Sequence, residues 1–142
     1  MNFLQKNIED LNIYAKEKQD EYLNASPFPH IVIDNFFNEK LLENILNEFP
    51  KNLENIGYEY QTKVEQKKFT LNDSKLLSNE TNNFINFLNS QIFLDFLQVL
   101  TGINEKLIPD PYLQGGGLHE LRNDGFLNIH ADFNLHPSMK LD

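Results

Sequence analysis

The sequence predicts an α+β protein, with helices up to residue 111 and a sheet that begins after it. Three observations carry this. Apolar residues recur at helical spacing in long stretches before Pro111. Aromatic and β-branched residues with turn signals take over beyond it. The 142 residues, 40% hydrophobic and 23% charged, have the balance of one globular domain with a real core.

The elements follow in order. From Asn2 to Leu23, the residues Phe3, Leu4, Ile8, Leu11, Tyr14, Ala15 and Tyr22 recur with helical period, predicting one amphipathic helix or a pair. Ser26-Pro27-Phe28-Pro29 ends it, because proline disfavours helix at the residue before it. His30-Ile31-Val32-Ile33-Asp34 reads as a short buried strand. Asn35 or Asn38 caps a following helix that carries Leu41, Leu42, Ile45, Leu46 and Phe49 and ends at Pro50. Tyr58-Glu59-Tyr60 and Lys67-Lys68-Phe69-Thr70 read as edge strands. Ser78 to Leu100 is helical, broken in two at Ser90 and closed by Gly102 as a left-handed cap. Tyr112 to Arg122 and Gly125 to Phe133 read as two strands joined by the hairpin signal Asn123-Asp124-Gly125. A sheet needs several strands to be stable. One that stops after two reads as unfinished, so residues 1–142 are expected to be a single incomplete domain. Residues 1–111 would be a mainly helical support and 112–142 the first strands of a larger sheet.

Composition excludes several classes of function. There is no cysteine, so disulfides, thiolate metal sites and cysteine nucleophiles are absent. A metal site must draw on carboxylates and on His30, His119, His130 and His136. A formal net charge of −9 argues against a nucleic-acid partner. No apolar run suits a membrane span, and the N-terminus lacks the pattern of a secretory signal. Both features agree with a cytoplasmic protein. Gly115-Gly116-Gly117 is not a phosphate loop, since no Lys-Ser/Thr follows it. It reads as a strand start or bulge where backbones approach closely.

The chemistry concentrates in Gly125-Phe126-Leu127-Asn128-Ile129-His130-Ala131-Asp132. On a strand, residues two apart share a face, so His130 and Asp132 would point the same way. An imidazole and a carboxylate, joined by a second His, make the facial triad of non-haem Fe(II) oxygenases. The pattern is short, and a strand-end histidine bonded to a turn carboxylate produces it too. Asn128 shares the parity of His130, and His119 lies on the preceding strand; both are pocket candidates. His136 is expected in the terminal loop and His30 in a structural role.

Two segments together resemble a known family. Phe28-Pro29-His30-Ile31-Val32-Ile33-Asp34-Asn35-Phe36-Phe37 is similar to the N-terminal support element of the prolyl 4-hydroxylase-like branch of the 2-oxoglutarate/Fe(II) dioxygenases. Gly125 to Asp132 is similar to the strand bearing that branch's first two iron ligands. The resemblance covers most of the chain from residue 20 onward. It implies a double-stranded β-helix, a jelly-roll or cupin-like barrel behind helices, here truncated after its first strands. It implies Fe(II), 2-oxoglutarate and O2 as cofactors, with ascorbate as an accessory reductant. The reaction would hydroxylate an unactivated C–H bond of a small-molecule or peptidyl substrate. His130 and Asp132 would be metal ligands and catalytic. The third ligand, a His, and the Arg or Lys that holds the keto acid's far carboxylate would lie beyond Asp142. The sequence departs from the family at Leu127, where many members carry a tyrosine. A metal-binding cupin-like barrel without redox chemistry and a non-enzymatic interaction module are the alternatives.

Overall fold

Asp10 opens the first helix by accepting the backbone N–H groups of Asn12 and Ile13 at 2.8 and 3.0 Å. Helix α1 then runs Leu11–Leu23 in the computed structural model, which describes residues 3–5, 7–131 and 135–140. The other helices are α2 (Glu39–Asn47), α3 (Leu53–Ile56), α4 (Asn79–Leu88) and α5 (Gln91–Thr101). The strands are β1 (Tyr58–Tyr60), β2 (Glu65–Leu71) and β3 (Leu118–Leu127). The described residues are therefore α+β, with five helices and one three-stranded antiparallel sheet. They divide into two compact units, Met1–Glu48 with Asn79–Pro109 and Phe49–Ser78 with Asp110–Asp142.

The first unit is helical. Asn38 caps α2 by accepting the N–H of Leu41, Ser90 caps α5 through that of Phe93, and Gly102 closes α5 at φ 72°. Asn38 and Gly102 are caps expected from the sequence, and Ser90 lies at the expected break between two helices. The core joins Leu11 and Ala15 of α1, Phe36, and Phe93, Phe96 and Leu100 of α5. Ala15 is completely buried. A small side chain there lets the backbones of α1 and α5 approach closely. Phe36 stacks on Phe96 with ring centroids 5.3 Å apart, and Phe93 tilts against Phe96 at 5.4 Å.

Two expectations in this unit fail. The first helix starts only at Leu11, and Leu4 instead bridges to Phe37 as an isolated antiparallel pair. The segment 30–34 forms no strand. Ile31 and Ile33 pack partly buried against the core while Val32 is 78% exposed. The alternation of a strand is kept, but among the described residues no strand pairs with it. His30 is exposed, its Nδ1 2.8 Å from the Phe28 carbonyl oxygen.

The second unit carries the sheet, in the order β1-β2-β3. β1 and β2 form where strands were expected, but β2 is the central strand rather than an edge. Helix α3 packs on β2 and buries Leu53. On the same face of the sheet Phe69 stands opposite Glu120 and Leu71 opposite Leu118. Arg122 lies over the Phe69 ring and pairs with Glu54 and Glu120, each at 3.0 Å.

The predicted terminal hairpin is replaced by a single ten-residue strand, β3. Residues 112–117 are turns, because Asp110 captures the N–H groups of Tyr112 and Gln114 at 2.8 and 2.6 Å. The Asn123-Asp124-Gly125 signal makes a bulge. Gln66 pairs with Phe126 and Lys68 with Leu121, so residues 122–125 protrude opposite Lys67 alone. Lys67 and Asp124 take positive φ of 52° and 60°. Gly125 is required there, since a Cβ would stand 2.8 and 2.9 Å from the carbonyl oxygens of Arg122 and Gln66. The triple glycine behaves as its sequence suggests. Gly117, at φ 113°, passes so close to the Leu71 carbonyl that no side chain fits.

Candidate functional site

The sheet face opposite α3 floors an open cleft of about 650 Å³. Period-2 alternation puts Lys68 and Thr70 of β2 on this face. Thr70 stands opposite His119 and Tyr58, and Lys68 opposite Leu121 and Tyr60. The walls are the loop Gln114-Gly115-Gly116, with Asn72, on one side. Val64, Leu127, His130 and Ala131 form the other.

Glu65 belongs to this floor for a reason invisible in the sequence. In a regular strand residues three apart face opposite ways. The irregularity between Gln66 and Lys68, with Lys67 left-handed, turns Glu65 to the same side as Lys68. Their side chains meet at 2.5 Å and are only 11% and 17% exposed. The Lys68 ammonium also lies 5.1 Å from the centroid of the Tyr60 ring, a cation–π distance. Glu65, Lys68, Tyr60 and Thr70 were all missed as site residues. Three of them, Tyr60, Lys68 and Thr70, were expected only on edge strands.

His130 lies at one end of the cleft, three residues past the end of β3. It follows the strand rather than sitting on it, so strand parity does not orient it. Its Nδ1 stands 2.6 Å from the Asn128 carbonyl oxygen. A carbonyl only accepts, so Nδ1 carries the proton of this bond, and in a neutral ring Nε2 is then the acceptor nitrogen. Metal-binding imidazoles are commonly oriented by such a bond. The exposed ring in this tautomer fits a nitrogen donor to Fe(II). Asp132 lies outside the described residues. Among those residues no group of three His, Cys, Asp or Glu is placed to hold a metal.

His119 lines the cleft near its other end, because β2 pairs it with Thr70 while Leu127 pairs with Glu65. Asn128 prolongs the ladder instead of lining the cleft. Its N–H donates to the Val64 carbonyl at 2.8 Å and its Nδ2 reaches that of Lys63 at 3.5 Å.

His136 takes the loop position its sequence suggests. Its Nδ1 accepts the N–H groups of Ser138 and Met139 at 3.2 and 2.9 Å, which puts the proton on Nε2, 3.1 Å from Asp110 Oδ1. Burial raises the Asp110 carboxyl, but the N–H groups of Tyr112 and Gln114 and the His136 ring together hold it below its ordinary value. No described helix is long and apolar enough to cross a membrane. No family model, curated protein or solved structure matches the chain.

Proposed function

We propose that this chain contributes the cleft and two iron ligands, His130 and Asp132, of a 2-oxoglutarate- and Fe(II)-dependent dioxygenase of the prolyl 4-hydroxylase-like kind. The observation that carries the reading is His130 at the wall of the cleft, its tautomer set by the Asn128 carbonyl and a carboxylate two residues on. By the same resemblance the chain would pack its helices on a double-stranded β-helix. Bound iron with its keto acid and O2 supplies the oxidising chemistry.

The chain's own residues bind and orient. The Asn128 carbonyl holds the imidazole in the tautomer that offers Nε2. Asp132 would add an anionic oxygen donor. Leu127 stands where many members carry a tyrosine and lines the cleft with an apolar surface, so no hydroxyl there donates to a cosubstrate. The sheet face excludes water from one side of whatever occupies the cleft.

His130→Ala and Asp132→Ala should each abolish 2-oxoglutarate-dependent succinate formation by the full-length protein and weaken Fe(II) binding at least about tenfold. His136→Ala should leave metal affinity unchanged, because its ring serves the loop. Fe(II) affinity and succinate yield are measured for each variant, with thermal unfolding as the control for folding. A His130→Ala protein that folds and turns over at the parent rate overturns the assignment.

A further inference from the structure

We infer that the substrate taken into this cleft is itself a small carboxylic acid, anchored by Lys68 with Thr70 and His119 beside it. The substrate role rests on the dioxygenase reading; the anion site stands on the geometry alone. The protein carries 21 acidic and 12 Lys and Arg residues, yet among the described residues one carboxylate, Glu65, lines the cleft. That carboxylate is already paired with Lys68. Against it stand one ammonium, the His119 imidazole, the amides of Asn72 and Gln114, and the Thr70 hydroxyl. In an acidic protein this wall has been kept for donors.

The donors also converge. Thr70 and His119 are direct cross-strand neighbours, and Lys68 precedes Thr70 by two residues on the same face. An ammonium has three donors. Glu65 engages one and the Tyr60 ring shields one side, which fixes the Lys68 headgroup over the floor. A ligand carboxylate would take a second donor there, as a charge-assisted hydrogen bond in a partly dry setting. The resemblance assigns the cosubstrate's far carboxylate to a basic residue elsewhere, which leaves Lys68 to the substrate. His130 lies toward the other end of the cleft, so an acid held by its carboxylate would extend its carbon chain toward the metal end.

The test is a binding titration without metal, followed by the backbone amide signals of Gly115, Gly116 and His119 in NMR spectra. The probes are isovalerate and isovaleramide, which share shape and differ in charge. Isovalerate should shift these signals saturably and bind at least about tenfold more tightly than the amide. Glu65→Gln should tighten isovalerate binding, because it removes the competing acceptor. Lys68→Met strands a buried carboxylate and endangers folding. The paired variant Glu65→Gln/Lys68→Met removes both charges, keeps the volumes, and should fold and lose the preference for the acid. Equal binding of both probes, no saturable shift, or a preference that survives in the folded paired variant each overturn the proposal. Mn(II) added to the parent protein separates the two readings. Selective isovalerate binding without paramagnetic broadening around His130 keeps the anion site and removes the dioxygenase. Broadening without selectivity does the reverse.

Discussion

Asp110 organises the approach to β3 through three partners: the N–H groups of Tyr112 and Gln114 and the ring of His136. All three favour the ionised carboxylate, and its folded-state pKa lies below the ordinary value of about 3.9. A depressed carboxyl stabilises the fold above its unfolded pKa and loses that contribution as the pH falls through the folded value. Asp110→Asn should therefore lower the melting temperature at neutral pH. The gap from the parent should narrow as the pH drops below about 4. Melting curves of both proteins from pH 7 to pH 2.5 would show it; a constant gap would mean that Asp110 acts by shape alone. At this scale the sequence was partly legible. The His-x-Asp pattern located His130, and the preceding strand located His119. Lys68 and Glu65 were not legible, because their meeting depends on a left-handed Lys67 that breaks the alternation.

Among the elements, the helices were the most readable, since the apolar period agrees at α2, α4 and α5 and a predicted cap is found at α2 and at α5. Phe96 is 2% exposed and touches Phe36 and Phe93. Phe96→Ala should cost about 3–5 kcal/mol of unfolding free energy, measured by denaturant titration. Strands were less readable for a physical reason: strand propensity reports a surface that suits pairing, not the presence of a partner. Residues 30–34 have the composition and find no partner strand, whereas the plainly polar Glu65-Gln66-Lys67-Lys68 enters the centre of a sheet. Likewise Asn-Asp-Gly specifies a tight reversal of direction. Whether that reversal ends a strand or interrupts one is decided by β2, which pairs on both sides of the bulge.

For the molecule as a whole, the α+β class followed from the order of periodicities; the sequence has no long apolar run, and no described helix is long and apolar enough to cross a membrane. The central place of residues 65–71 in the sheet, between β1 and β3, did not follow, because antiparallel pairing joins segments that lie far apart in sequence. The chain carries a net charge of −9, while the charged pair inside the cleft cancels. A dipole's field fades within a few ångströms, whereas the surface charge reaches about a Debye length. If the cleft binds an acid as proposed, an incoming carboxylate would be repelled at long range and captured only on contact. Its association rate should rise with ionic strength, opposite to the behaviour of a steered anion site, and stopped-flow measurements across a salt series would reveal the sign. On that proposal the Glu65–Lys68 pair, met first as a quirk of strand parity, would make entry to this cleft a matter of collision frequency, with salt as its accelerator.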